Sequence, residues 1–462
     1  MIYSFEEFQD FQPARPTYGL FGWPLGHTMS PELHAQLFHA AHVDADYIAV
    51  AVPPEQLGQA MALARQKLLG INLTIPHKRA VIGLLDAVDQ SALDLHSVNT
   101  VHFKNGEAIG YNTDIFGFAA TLEKDGVELR GRKVVLLGYG GAAAVMAYHC
   151  VHSGAHLFIT GRNLEKAQAL RAQLLSSVPH AKIETCTRRH IPRDAQVVIN
   201  STPLGMFPLE EKKPLYFLPR KTEYVFDAIY NPPVTSTMRL ATNKKTRTRN
   251  GLYMLVMQAA AAQTIWNGTQ FDPPVCDGIC RRVLAKMAVK RLHEKHGKQN
   301  LVLCGFMGSG KTTVGRKLSR LTGLTHIDAD NYLEEKEGHK ISEIFATQGE
   351  QAFRDLETRY LREICAMDGV VVSLGGGAVL RPENVQIIKE TGFLIHLDTP
   401  FFRIVKNLSG STHRPLLDNS GDKLAETRRL YNTRKNIYRR AADQSVRSPR
   451  LSELIDRLLQ SI

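Results

Sequence analysis

One chain of 462 residues contains two glycine turns, of different kinds, each set between an apolar strand-like run and a helical run. The first is Gly138-Tyr139-Gly140-Gly141-Ala142-Ala143, following Lys133–Leu137. The second is Gly305-Phe306-Met307-Gly308-Ser309-Gly310-Lys311-Thr312, following Asn300–Cys304. Such turns work only where a strand end meets a helix N-terminus, so that backbone N–H groups and the helix dipole face a phosphate. Each therefore requires an α/β sheet with parallel strands around it. The chain is expected to hold a Rossmann-type dinucleotide domain and a separate P-loop domain.

The length suits two or three domains. Strand-like runs (Tyr47–Val52, Lys133–Leu137, His156–Thr160, Gln196–Ile199) alternate with helical stretches from about Thr17 to Phe271, until Pro273-Pro274 breaks the pattern. The basic run Ile279–Gln299 reads as a solvated linker helix, and a second α/β module follows it. The expected boundaries are 1–115 plus 250–277 for a substrate-binding domain and 116–249 for the dinucleotide domain. A linker helix at 278–298 and a P-loop domain at 299–462 complete the chain. The formal charge of +12 is spread along it without a zinc-finger or RNA-binding signature, which suits anionic small substrates better than nucleic acid. Met1–Asp10 lacks the pattern of a signal peptide, and Gly251–Trp266, interrupted by Gln258 and Gln263, reads as a buried helix and not a membrane span. Six scattered cysteines form no metal-binding pattern, as expected of reduced thiols in a cytoplasmic enzyme. No sequence feature fixes an oligomeric state.

In the second module Gly308, Ser309 and Gly310 should wrap phosphates, Lys311 should reach the β- and γ-phosphates, and Thr312 should ligate Mg²⁺, with Thr313 beside it. Asp328 and Asp330, ending the next strand, offer one carboxylate to the metal and one to an acceptor hydroxyl. Arg354, with acids nearby, suits a substrate carboxylate. Gly375, Gly376 and Gly377 follow the apolar run Val370–Val372 and leave room for a ring, and Arg414 lies in a lid-like polar stretch before Arg434 and Tyr438. In order and along its whole length this module resembles shikimate kinase. The resemblance implies that Lys311 and Thr312 handle ATP and Mg²⁺, with Asp328 supporting the metal. Asp330 would contact the shikimate hydroxyls, Arg354 and Arg434 would clamp its carboxylate, and Arg414 would reach the phosphates. One departure is Asn407, where such kinases often carry a lid arginine.

Upstream of the dinucleotide turn lie polar motifs suited to a polyol carboxylate: Thr28 and Ser30 in a Pro-bounded loop, Asn72, Thr74 and Lys78 around a strand end, and the Asn-Thr pairs Asn99-Thr100 and Asn112-Thr113. Each Asn-Thr pair is expected to follow a strand. Lys78 and Asp114 are the evident acid/base pair for protonating a ketone as hydride arrives. Gly138 makes the turn, Gly140 and Gly141 admit a pyrophosphate, and Ala142 permits close packing of the helix. Arg162, at the end of the next strand where an NAD site would place an acid, suits a 2′-phosphate and so NADP. Thr202, Gly205, Met206 and the Asp227–Pro232 segment would line the nicotinamide. This region, about Tyr18 to Gly268, resembles shikimate dehydrogenase, which implies that Thr28, Ser30, Asn99 and Gln258 bind substrate. Asn72, Thr74 and Tyr230 would line the same site, with Lys78 and Asp114 catalytic. The departures are Thr28 for a usual serine, Tyr139 for a usual alanine, and Gly161-Arg162-Asn163 for Asn-Arg-Thr.

The two resemblances together imply a bifunctional enzyme: NADPH-dependent reduction of 3-dehydroshikimate, then ATP-dependent phosphorylation of shikimate. The alternatives are an NAD-dependent quinate/shikimate dehydrogenase fused to the same kinase, or one half serving as a non-catalytic nucleotide-binding module.

Overall fold

The computed structural model describes residues 2–26, 28–241, 245–408, 423–447 and 451–461. The chain forms two units, Met1–Cys280 and Arg281–Ile462.

The first unit contains two sheets. Strands β1 (Ile2–Ser4), β2 (Thr17–Gly22), β3 (Asp46–Ala51), β4 (Gly70–Leu73), β5 (Ala87–Val88), β6 (Thr100–Lys104) and β7 (Glu107–Tyr111) form one sheet in the order β1-β3-β2-β4-β6-β7-β5. Four strands on one side are parallel, whereas β6 runs antiparallel to both β4 and β7. Residues 2–10 join this layer: β1 pairs with β3, and the helix Phe5–Asp10, capped by Ser4, buries Phe5 and Phe8 in the core. The second sheet contains β8 (Lys133–Leu137), β9 (His156–Thr160), β10 (Ile183–Cys186), β11 (Val197–Asn200), β12 (Tyr224–Asp227) and β13 (Arg247–Asn250). Its order, β10-β9-β8-β11-β12-β13, is wholly parallel, and β8 lies in the middle. The buried runs of Val, Leu, Ile and Phe on β8, β9, β11 and β12 are what a sheet covered on both faces requires. As expected, 252–267 is a buried helix, and it packs on the helix Asp114–Lys124.

In the second unit, β14 (Asn300–Cys304), β15 (Thr325–Asp328), β16 (Val370–Ser373), β17 (Gly392–Leu397) and β18 (Gln444–Val446) form a parallel sheet ordered β15-β16-β14-β17-β18. The P-loop leaves the central strand β14, where neighbours on both sides present their C-terminal ends to a ligand.

The basic run expected as a solvated linker belongs to a longer helix, Pro273–His296, that starts at the Pro-Pro pair. Proline is tolerated in a first helical turn, so the pair starts the helix and does not interrupt it. Cys276, Ile279, Val283, Ala285, Ala288 and Leu292 are all buried, so the run is packed into the structure and is not a solvated linker.

Candidate active sites

In the first unit, Lys78 and Asp114 come from separate elements. Lys78 lies in a one-turn helix after β4, and Asp114 opens the helix after β7. The Lys78 ammonium donates to the Asp114 carboxylate at 2.6 Å, and both side chains are largely buried. Asn99 locks the other carboxylate oxygen: its amide donates to Asp114 Oδ1 at 2.9 Å, to Thr113 Oγ1 at 3.1 Å and to Gln258 Oε1 at 3.3 Å. The Asn99 Oδ1 in turn accepts from the Thr113 backbone N–H at 2.7 Å. Contrary to the expectation that each Asn-Thr pair follows a strand, Asn99 immediately precedes β6 and Thr100 begins it. Because β6 is antiparallel to β4, its start lies beside the end of β4, with Asn72 opposite Thr100. A reversed strand thus supplies a group to the same edge.

Asn72 is buried with its amide engaged, donating to the Asn99 carbonyl and Thr100 Oγ1 while accepting from the Tyr47 hydroxyl at 2.8 Å. Tyr47 stacks flat on His34, with ring centres 4.1 Å apart. Burial pushes the His34 imidazole down to about 3, so it stays neutral, and Gln263 contacts its Nδ1 at 2.8 Å. Sequence reasoning missed this layer of Tyr47, His34 and Gln263. Its only sequence signal is polar residues inside otherwise apolar elements. Thr28 and Ser30 bond to each other at 3.2 Å, and Ser30 begins a helix; His27, in the same loop, lies outside the described residues. Thr74 lies over Gly22 at the end of β2, where a Cβ on Gly22 would stand 2.3 Å from its methyl. Tyr230 follows β12 and makes no contact with Lys78, Asp114 or Asn99 among the recorded bonds of the described residues.

The dinucleotide turn has the room its reading requires. Gly138 has φ 118°, and a Cβ there would meet Ser201 Oγ at 2.5 Å, so the sharp turn needs glycine. A Cβ on Gly140 or Gly141 would meet nothing within 4 Å, which leaves space for a pyrophosphate at the start of the helix Gly141–His152, where Ala142 is exposed. Arg162 is exposed at the end of β9 and makes no hydrogen bond or ion pair among the described residues. The loops after β11 and β12 are anchored by a buried pair: Asn200 donates to Asp227 at 3.0 Å and accepts from the Thr202 hydroxyl at 2.7 Å. Burial raises the Asp227 carboxyl to about 6 against bonds from Thr235 and Asn200. Gly205, with φ 96°, and the exposed Met206 continue the β11 loop.

In the second unit the P-loop floors a cavity of about 820 Å³, walled by Asp328, Asp330, Gly376 and the helix Phe401–Leu408. Gly308 and Gly310 have φ 74° and 92°, a backbone course open to glycine that turns N–H groups toward the cavity. Among the described residues the buried Ser309 hydroxyl has no partner, and Lys311 contacts the carbonyls of Gly305 and Phe306 at 3.0 and 3.3 Å. Thr313 is exposed beside it. The Thr312 hydroxyl donates to Asp328 at 2.7 Å, which sets two hard oxygen donors side by side. Among the described residues no cluster of three metal-ligating side chains occurs. A pair of oxygens fits Mg²⁺, which keeps waters and takes phosphate oxygens in place of a full protein cage.

Asp330 does not end the strand, as expected from sequence, because Asp328 N-caps the helix Ala329–Glu337 and places Asp330 in its first turn. Burial, reinforced by the Asp328 charge, raises the Asp330 carboxyl. The acids holding Arg354 are Glu357 at 3.0 Å and Glu350 at 3.2 Å, while Asp355 pairs with Arg381. Glycine at 375 and 377 admits these groups: a Cβ would meet Asp330 Oδ1 at 2.5 Å in the first case and Arg354 Nη1 at 2.4 Å in the second. Tyr438 donates to the Gly376 carbonyl at 2.5 Å and is hydrogen-bonded to Arg434, one turn earlier on the helix Lys423–Ala441. Asn407, the departure noted above, donates to the Gly308 carbonyl at 2.8 Å and so ties the wall helix to the P-loop. Arg414 lies outside the described residues.

Comparison with known proteins identifies a family at each end of the chain. Residues 307–462 match the family model for shikimate kinase, and residues 20–101 match that for the shikimate dehydrogenase substrate binding domain. The chain is 38% identical over 261 residues to shikimate dehydrogenase (NADP(+)) of Carboxydothermus hydrogenoformans, covering 56% of this chain and 92% of that protein. It is 41% identical over 260 residues to the Symbiobacterium thermophilum enzyme of the same name, covering 54% and 88%. The Thermus thermophilus shikimate 5-dehydrogenase, solved in complex with NADP(H) and shikimate, superimposes with a TM-score of 0.53 at 29% identity, covering 58% of this chain and 99% of that one. The chain belongs to the shikimate dehydrogenase (NADP(+)) family and carries a shikimate kinase domain at its other end, so both enzyme activities reside on one polypeptide.

Proposed function

We propose that the two activities are consecutive: the first site reduces 3-dehydroshikimate to shikimate, and the second phosphorylates the shikimate 3-hydroxyl. The observation that carries this reading is the Lys78–Asp114 pair at 2.6 Å, fixed by Asn99 in the same chain as a P-loop whose Thr312 and Asp328 are already joined. The proposed division of labour is 1–115 plus 250–277 for substrate, 116–249 for NADP, and 299–462 for the kinase.

NADPH, when bound, supplies the hydride to the ketone carbon. The Lys78 ammonium stands as the proton donor to the carbonyl oxygen, with Asp114 holding it in place and compensating its charge. Thr28, Ser30, Asn99 and Gln258 orient the carboxylate and hydroxyls, with Asn72, Thr74 and Tyr230 around them. Gly138, Gly140, Gly141 and Ala142 seat the pyrophosphate, and Arg162 meets the 2′-phosphate. Thr202, Gly205 and Met206 border the nicotinamide.

ATP with Mg²⁺ supplies the phosphoryl group at the second site. Gly308, Ser309, Gly310, Lys311 and Thr313 hold its phosphates, while Thr312 and Asp328 hold the metal. Asp330, its carboxyl raised by burial, accepts the proton of the attacking hydroxyl. Arg354 and Arg434 hold the carboxylate against the strip Gly375–Gly377, and Arg414 completes the charge around the phosphates.

The test is a coupled assay of the purified chain with 3-dehydroshikimate, NADPH, ATP and Mg²⁺. Shikimate 3-phosphate should form in step with NADPH oxidation. Oxidation without phosphorylated product would refute the consecutive reading. Faster turnover with NAD and quinate would favour a quinate/shikimate dehydrogenase instead.

A further inference from the structure

Tyr139 and Gly161 are matched to each other. A Cβ on Gly161 would stand 2.4 Å from Tyr139 Cε1 and 2.8 Å from Cδ1, so no other residue fits at 161 while this ring is in place. Tyr139 packs against a core cluster that includes Val134 and Leu136 of β8 and Leu157 and Ile159 of β9, which anchors it. Its outer edge lies across the end of β9, with the hydroxyl-bearing Cζ 3.6 Å from the Gly161 Cβ position. The phenol makes no hydrogen bond among the described residues, and the next residue is the exposed, unpaired Arg162. In a Rossmann-type sheet the end of the second strand is where the 2′ position of the adenosine ribose is read.

We propose that Tyr139 is a specificity residue for the nicotinamide cofactor: its hydroxyl donates to the 2′-phosphate beside Arg162, in the space that Gly161 vacates. A glycine at 161 removes the side chain that would ordinarily border the phosphate, and the tyrosine returns a donor to that place from the neighbouring strand. Asn163 is turned toward the helix Leu164–Ser177, which it caps by accepting from the Lys166 N–H at 3.0 Å. Arg162 contributes charge, and Tyr139 contributes a rigid, directional bond whose loss affects NADP alone. The inference rests on the assignment of NADP(H) to this turn.

The experiment is calorimetric titration of the full chain with NADP⁺ and, separately, NAD⁺, with ADP and Mg²⁺ present to saturate the P-loop site. A hydrogen bond to a charged phosphate predicts that Tyr139→Phe weakens NADP⁺ binding by about tenfold, with NAD⁺ binding unchanged. Gly161→Ala should displace the ring and weaken NADP⁺ binding at least as much. If Tyr139→Phe binds NADP⁺ like the parent chain, or loses both cofactors equally, the proposal is overturned. NADP⁺ that binds as strongly to Gly161→Ala as to the parent overturns the pairing. Failure of the unaltered chain to bind NADP⁺ would instead refute the cofactor assignment.

Discussion

The reductase site is tightly bonded around its proton donor, whereas the kinase site is open around its P-loop. Lys78 is already paired with Asp114, and Asn99, Thr113, Asn72 and Tyr47 extend that order into the core. In the kinase site Lys311 contacts carbonyls of its own loop, and among the described residues the Ser309 hydroxyl has no partner beside a cavity of about 820 Å³. The chemistry explains the contrast. Delivering a proton to a carbonyl oxygen needs one donor held at one angle. Phosphoryl transfer is mostly charge neutralisation, and much of the charge and the metal arrives with the nucleotide.

The sharpest break of this comparison is to remove each lysine separately. Lys78→Ala should lower reductase kcat by about 10³-fold, within the usual range for a general acid. Lys311→Ala should lower kinase turnover by a similar factor, about 10³-fold, by removing a preorganised cation. Each change should leave the other activity within about twofold, read in separate assays. A large cross-effect would mean that the two sites are not energetically independent.

Acid should destabilise the first unit through a histidine buried behind the reductase site. His34, buried behind the reductase site, titrates at about 3 when folded and near 6.5 when unfolded. With its folded pKa depressed, the unfolded chain takes up the proton first. Stability is therefore full above pH 6.5 and declines as pH falls from there toward 3. Between pH 6.5 and 5 the expected loss is about 2 kcal/mol. The two tryptophans, Trp23 and Trp266, both lie in the first unit, so their fluorescence during urea unfolding reports on it. His34→Gln should flatten that pH slope, and an unchanged slope would assign the acid sensitivity to other groups.

A smaller effect tests the kinase clamp. The Gly377→Ala methyl would enter the space of the Arg354 guanidinium, with 2.4 Å between them before relaxation. Arg354 must then shift from its place between Glu357 and Glu350. The KM for shikimate in the kinase assay should rise about tenfold, the weight of one charge-assisted bond. The KM for ATP should stay unchanged, and a matching rise there would place the strip against the nucleotide instead.

The contrast also governs what was legible in the sequence. Local motifs were readable, because the P-loop and the dinucleotide turn need their residues at fixed spacing: β8, β9 and β14 begin and end where the apolar runs do. Lys78 and Asp114, 36 residues apart, were named from chemistry, yet only the fold brings them to 2.6 Å. Two expectations failed for physical reasons. Asn99 precedes a strand and does not follow one, because β6 is reversed, and strand direction leaves no local mark. Asp330 lies in a helix because Asp328 prefers to cap one, a competition between strand end and N-cap that the run His326–Asp330 leaves open. The basic run does not read as buried from sequence because its charged residues are conspicuous, whereas Ile279, Val283 and Leu292 between them are buried on different sides of the helix.

The smallest effect probes how far preorganisation reaches in the reductase site. Tyr47 touches neither Lys78 nor Asp114 by any recorded bond; its hydroxyl donates to Asn72, which donates to the Asn99 carbonyl and Thr100. Asn99 then holds Asp114. Tyr47→Phe keeps the stack on His34 and removes one neutral hydrogen bond, worth about 1 kcal/mol. If the network holds Asn72 and Asn99 in line for the substrate, the KM for 3-dehydroshikimate should rise about threefold to fivefold. The kcat and the kinase parameters should change little, because the Lys78–Asp114 pair and the second unit are untouched. A fall in kcat with constant KM would show that the layer aligns the proton donor and not the substrate. No change in either would confine the preorganisation to the groups in direct contact with Asp114, and the contrast between the two sites would narrow to the lysine–aspartate pair itself.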